Sequence, residues 1–441
     1  MKIFVLVVFI LTYISIIAVP KYKMYITSCS ALITAGALLI FKYVSFLSVL
    51  TAIDYNVVLM LVGIMITVGL FSESGMPNKL SDKLASAIPN TMVTLVLLSV
   101  ISGVISAFID NVATVLMLAP IGLAIARKSN VSPIPVIISI AVSSNLQGAA
   151  TLVGDTTSIM LAGEANMSFM DFFFMDGRLS IFWAVELGML FTIPVLFFLF
   201  RKSNKRISIQ SQDIKVTSII PTLLLVLTIL LLIAFSFVPN KMELTNGLIC
   251  MSVGVVGLVY YLIQCKVDDK IAIKEGNEGK FKEKVANFFK SSIDYETIVF
   301  LSTLFIIIFT VERVGIIADI SSLFAKLGDK NIFLLYTVIV FGSVLASAFI
   351  DNIPYVATML PVIAGLQVAP NLLIMLYFGL LCGATLGGNL TPVGASANVV
   401  GIGILRKEGY EVKNKDFFKI GIPFTLVAVL AGYLFCWFVW A

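Results

Sequence analysis

Histidine is absent from this 441-residue sequence, and charge of either sign is scarce, with Asp, Glu, Lys and Arg together making up 12% of the chain. Without histidine, the one side chain that ordinarily titrates near neutrality is missing, so any proton carried here rides on a carboxylate, a lysine, a tyrosine or water. The low charge excludes a soluble fold, because a soluble domain carries roughly twice that fraction. Cys29, Cys250, Cys265, Cys382 and Cys436 stand far apart with no CxxC pair, which excludes a zinc ribbon and a disulfide framework. A GxxxxGK[ST] loop is missing too, which disfavours an ATP-driven pump. No nucleic-acid partner is expected, because loop placement accounts for the formal charge of +5.

Hydrophobic residues make up 59% of the chain. Runs near 20 residues, the length that crosses a bilayer core, occupy 3–19, 24–41, 56–72, 180–200, 219–238, 244–263, 297–311 and 420–440. Further apolar segments lie at 91–126, 134–165, 332–367 and 371–405. The expectation is a multi-pass protein of the plasma membrane, with the lipid bilayer as its first partner. Its first run is read as a retained helix, because "SIIAVPKYK" offers no small-residue cleavage site.

Two of those apolar segments contain the same hexapeptide: "SAFIDN" stands at 106–111 and again at 347–352. "TAIDYNVVLMLVGIMITVGL" (51–70) resembles "SSIDYETIVFLSTLFIIIFT" (291–310), "TLVGDTTS" (151–158) lines up with "TPVGASAN" (391–398), and "DFF" at 171–173 answers "DFF" at 416–418. The chain therefore divides into two N-terminal transmembrane helices (1–50), a first repeat (51–200), a linker with two transmembrane helices and a cytoplasmic loop (201–290), and a second repeat (291–441). Each SAFIDN is read as the tip of a re-entrant hairpin, 95–109 with 112–126 and 332–349 with 353–367. Each repeat then crosses three times and the linker twice, so the second copy runs inverted. That arrangement puts most of the 30 Lys and Arg residues on the cytoplasmic side and both termini outside. The predicted fold class is an all-α polytopic membrane protein of two inverted-topology repeats, each with a re-entrant hairpin and a broken transmembrane helix.

Broken helices at mid-membrane leave unpaired N–H and C=O groups that attract anions and cations respectively, the signature of secondary transporters. The breaks are "SSNLQGAATLVGDTTS" (143–158) and "GATLGGNLTPVGASAN" (383–398). Their polar side chains include Asn145, Thr151, Asp155, Thr156, Thr157 and Ser158 in one half and Thr385, Asn389, Thr391, Ser396 and Asn398 in the other, beside Asp110, Asn111, Asp351 and Asn352 at the tips. Asp155 has no twin, since Ala395 stands at the equivalent place. Simpler roles stay open at this level: Asp110 and Asp351 as helix caps, the Asn, Ser and Thr residues as partners of broken backbone, Asp54 and Asp294 as interfacial caps, and 266–290 as a solvated loop.

At these residues the sequence resembles the ion transporter superfamily, in the branch that holds arsenite permeases, NhaD-type Na+/H+ antiporters and the melanosomal P protein, related to citrate transporters and divalent-anion/Na+ symporters. "SAFIDNVATVLMLAPI" is similar to the family's hairpin tip and "GGNLTPVGASANVV" (387–400) to the P-protein second half. Two positions depart from the pattern, with Gln147 in place of a glycine and Thr156 in place of a proline. The resemblance implies a scaffold and a mobile transport region, often in a homodimer working as an elevator. It also implies ion-site positions at Asp110, Asn111, Asn145, Asp155, Thr157 and Ser158, and at Ser347, Asp351, Asn352, Asn389 and Asn398.

The expected function is secondary active transport of a small ion coupled to Na+ or H+, with no enzymatic activity and no other cofactor. Asp110, Asn111, Asp155, Asp351 and Asn352 are the Na+ candidates. Three aspartates, with no Lys or Arg inside either transport segment, favour a cation. Helix N-termini and Asn, Ser or Thr donors leave an oxyanion or carboxylate open. A passive channel is one rival. An aspartyl intramembrane enzyme is another, weakened by the missing Gly-x-Gly-Asp sequence.

Overall fold

The computed structural model describes the chain apart from residues 87–89, 205–214, 240–241 and 275–278. It is nearly all helical. The first helices are α1 (Lys2–Ala18), α2 (Lys23–Ile40) and the short α3 (Phe46–Leu50). The first repeat supplies α4 (Tyr55–Glu73), α5 (Met76–Ser86), α6 (Thr91–Ser106), α7 (Asn111–Lys128), α8 (Pro133–Gln147), α9 (Thr156–Glu164) and α10 (Ile181–Phe200). After α11 (Ile220–Ser236), α12 (Thr245–Lys274) and α13 (Phe281–Ser292), the series recurs as α14 (Tyr295–Arg313), α15 (Ile316–Lys330), α16 (Ile332–Ser347), α17 (Asn352–Ala364), α18 (Pro370–Gly387), α19 (Ser396–Lys407) and α20 (Asn414–Trp440). Among the described residues, eight helices are long and apolar enough to cross a membrane.

The same local chemistry sets the boundaries in both series. Asp54 accepts from Val57 N and starts α4, as Asp294 accepts from Thr297 N and starts α14, both at 3.0 Å. Asn90 and Asn331 cap α6 and α16, each 3.2 Å from the backbone N–H three residues on. Pro133 and Pro370 open α8 and α18, where a missing N–H costs nothing. The chain stops being helical between Gln147 and Thr156, and again around Gly388–Ala395, where a short 3₁₀ turn intervenes.

Burial separates the centre from the rim. Of an apolar 18-residue stretch within Pro370–Leu390, 83% is buried, against 33% for one within Thr245–Lys274, which places α18 at the core and α12 at the edge. α8 packs against α6, α7, α18 and α19, and α10 lies along α20. At the edge, α12 runs flush against α4, where a Cβ on Gly63 would come within 2.3 Å of the Cys250 carbonyl carbon. Glycine is what permits that contact.

The polar linker departs from the loop expected over 266–290. α12 continues through Lys274, and α13 follows with Phe288 buried against Ile66 and Leu70 of α4. Phe281, Val285 and Phe288 recur at intervals of four and three, an apolar stripe on a lysine-rich helix. Within this linker, residues 275–278 lie outside the described residues, as does most of the basic segment 201–218.

Candidate functional site

Each SAFIDN forms a helix–turn–helix tip. Asp110 accepts from Val112 N and Ala113 N at 2.9 and 3.0 Å and starts α7, while Asp351 accepts from Ile353 N at 3.5 Å and starts α17. The broken helices are latched to the tips by matching threonines: Thr151 Oγ1 donates to the Ala107 carbonyl, and Thr391 Oγ1 to that of Ala348 at 2.5 Å. The glycine in each "VG" is required by the same packing. A Cβ on Gly154 would lie 2.6 Å from Gly148 O and 3.0 Å from Ala107 O, and one on Gly394 would lie 2.6 Å from Gly388 O and 3.0 Å from Ala348 O.

Asp155 is buried, with Oδ1 accepting from Thr156 N at 2.7 Å and Oδ2 accepting from Thr157 Oγ1 and Asn352 Nδ2, each at 3.1 Å. The unpaired carboxylate of one repeat thus holds the tip amide of the other. Asn111 Nδ2 donates to Asn145 Oδ1 at 2.9 Å, and Asn145 Nδ2 donates to Thr385 O at 2.7 Å and to Asn389 Oδ1 at 3.2 Å. Asn389 Nδ2 closes the crossing by donating to Val142 O at 2.9 Å.

These groups surround a cavity of about 420 Å³. Of the polar residues singled out from the two tips and the two breaks, Asp110, Asn111, Asn145, Asp155, Thr156, Asp351, Asn352 and Ser396 line it. Ser158 donates to Gly148 O at 3.0 Å and Asn398 Nδ2 to Gly388 O at 3.0 Å, so these two tie up carbonyls freed by the breaks, as Thr151 and Thr391 do for carbonyls of the tips. Thr157 and Asn389 stand behind the lining. Ser347 Oγ and Thr385 Oγ1 are buried with no hydrogen-bond partner among the described residues.

Four charged lining residues were not anticipated as part of the site: Lys23, Glu73, Asp294 and Glu296. Lys23 Nζ lies 3.0 Å from Asp351 Oδ2. The sequence did carry a signal for Lys23, a lysine in the first turn of an apolar helix, but that also suits an interfacial anchor. Asp54 and Asp294 are caps as expected, and Asp294 faces the cavity as well.

Oxygen donors from carboxylates and amides suit a hard cation. Among the described residues, no three acidic, His or Cys side chains are grouped to hold a metal ion, so any ion here relies on amide, hydroxyl and backbone oxygens as well.

A polytopic helical bundle with paired tips and a central polar cavity belongs to the membrane transporters. The chain is a member of the family described as CitMHS, citrate transporter, which matches residues 27–381. It is 30% identical over 396 residues to an uncharacterized transporter of Mycobacterium bovis, covering 88% of this chain and 86% of that one. It is 26% identical to the P protein of Sus scrofa, covering 86% of this chain and 52% of that one. Among solved structures, the YdaH transporter of Alcanivorax borkumensis superposes with a TM-score of 0.57 at 13% identity, over 90% of this chain and 88% of that one. MtrF of Neisseria gonorrhoeae, described as an antimetabolite efflux pump, gives 0.54 at 16% identity, over 92% and 84%. At that identity the likeness concerns the fold alone.

Proposed function

We propose that this protein is a secondary active transporter that moves a small ion by alternating access, coupled to Na+ or H+, with the cation held by Asp110, Asp155 and Asp351. The observation that carries this reading is convergence: the two tips, from repeats far apart in sequence, and the buried Asp155 meet on one cavity. Carboxylates in such a place are costly unless they serve an ion. Amide oxygens of Asn111, Asn145 and Asn352 supply the neutral donors that complete a cation's shell. Inverted repeats offer two equivalent tilts of one bundle, so an elevator-type movement of the tips against α4 and α14, in a homodimer of the plasma membrane with both termini outside, follows from the same reading.

A second substrate reading has its own observation. The N-termini of α7, α9, α17 and α19 all border the cavity, and only α19 starts without a side-chain cap, at Ala395. That open end suits a carboxylate or oxyanion co-transported with the cation, in line with the family's description as citrate transporters. Flux into proteoliposomes separates the readings. Citrate, arsenite, Na+ and Li+ are each tested against imposed pH and Na+ gradients. Uphill movement driven by either gradient supports coupled transport, and flux that only ever runs downhill means a channel.

A further inference from the structure

Lys23 belongs to neither repeat, yet among the described residues it is the one cation lining the cavity. It opens α2, which packs along α14, and its Nζ stands 5.1 Å from the Phe300 ring centre while it pairs with Asp351. The side chains of Lys23 and Asp351 are 20% and 22% exposed, so this is a largely shielded pair, unlike the surface pairs elsewhere in the chain. A second contact fixes the geometry, since Tyr13 of α1 donates to Pro354 O of α17 at 2.6 Å. The N-terminal helices therefore grip the second tip at two points. Asp110, the same residue of the first tip, has no ion-pair partner within 4 Å among the described residues.

An ammonium group is a compact single positive charge that only donates. A Na+ ion at the same carboxylate would be a second positive charge within a few ångströms of the ammonium in a largely shielded place, so each strongly disfavours the other there. Resting on the cation reading above, we propose that Lys23 is the resident occupant of a Na+ position at Asp351, and that Na+ takes the position by displacing it. Withdrawing one partner from a shielded pair is costly because it strands the other charge. Here neither charge is stranded. Na+ compensates Asp351, and Asp294 and Glu296, which open α14 on the wall of the same cavity, receive the ammonium on its flexible four-carbon stem. Lys23 thereby keeps the second tip neutral when no ion is bound and lowers the affinity for the ion that replaces it.

The test is a Na+ titration of the purified full-length protein at constant ionic strength with choline, read as Na+-dependent thermal stabilisation. Lys23→Met, which keeps length without charge, is expected to bind Na+ about tenfold more tightly than wild type, the factor that corresponds to about 1.4 kcal/mol. Lys23→Arg should restore weak binding, and Lys23→Met should add nothing in an Asp351→Asn background, where the contested position is gone. A purely structural lysine would lower the baseline stability without tightening Na+ binding. Unchanged or weaker Na+ affinity in Lys23→Met, with wild type responding, overturns this inference and leaves the transport reading intact. No Na+ response in either protein overturns both this inference and Na+ as the coupling ion. If Lys23→Met does not fold, Lys23→Gln is judged by the same outcomes.

Discussion

Asp110 and Asp351 occupy the same place in the same hexapeptide, yet their surroundings differ. Asp110 spends one oxygen on two backbone N–H groups at 2.9 and 3.0 Å, a close cap. Asp351 makes a single long contact of 3.5 Å to its own helix and turns its other oxygen to Lys23 at 3.0 Å. The duplicated sequence therefore reproduces the backbone of the tip, while a helix outside the repeats decides what the carboxylate does. The breaks differ in the same way. Asp155 caps α9 and reaches across to Asn352, whereas α19 starts at Ala395 with no side-chain cap. Charge is distributed unequally over two matching frameworks, and a cavity whose two ends differ is the outcome.

The largest effect is expected where that inequality is greatest. Asp155→Asn should weaken Na+ binding roughly 100-fold, corresponding to about 3 kcal/mol for losing a charged partner, and should abolish gradient-driven flux. The fold should persist, because an asparagine Oδ1 still accepts from Thr156 N and the Asn352 amide can turn over to accept from the new amide. Na+ titration of the purified variant checks this. Wild-type affinity there would move the cation to Asp110 or Asp351.

Asp351 and Asp54 give the next contrast, since both are caps and only Asp351 faces the cavity. Asp351→Asn should reduce flux about tenfold or more, the scale of one charged contact. Asp54→Asn should stay near wild type at matched expression, because an asparagine caps a helix as well as an aspartate does. Equal activities would return Asp351 to capping alone.

Much of this was legible in the sequence because it depends on short-range rules. Caps at Asp54, Asp110, Asp294 and Asp351, the tips, and the breaks at Gly- and Asn-rich segments all follow from residues within a few positions of one another. Lys23 and Glu73 were not legible as cavity residues. Each sits at the end of an apolar helix, where a charge ordinarily meets water, and only the packing of α2 on α14 and of α4 beside the tips brings them in. α13 was hidden for another reason, since its lysines masked the Phe281, Val285 and Phe288 stripe that docks it on α4.

The amides that cross between α8 and α18 test the framework. Asn145 serves Asn111, Thr385 O and Asn389, while Asn389 donates to Val142 O and accepts from Asn145. Asn145→Ala strands more buried polar groups and should cost about 2–3 kcal/mol, and Asn389→Ala about 1–2 kcal/mol. Thermal melts of the two purified variants should rank them in that order. The reverse order would mean that Val142 O, not the contact to Thr385 O, is the group the structure most needs to satisfy.

The smallest effects belong to the latches. Thr151 and Thr391 make the same bond, each donating from Oγ1 to the carbonyl two residues before its tip isoleucine, but Thr151 is fully buried and Thr391 is partly exposed. Valine keeps the shape and removes the hydroxyl. In Thr151→Val the Ala107 carbonyl loses its partner where water cannot replace it, and the cost should be about 1–3 kcal/mol. In Thr391→Val water has better access to Ala348 O, and the loss should fall to about 0.5–1 kcal/mol. The measurement is the difference in melting temperature between the two variants in Na+-free buffer, where no contribution from Na+ binding enters. Equal losses would mean that the second latch is as dry as the first, and that the cavity is closed to water on the Thr391 side in the folded state.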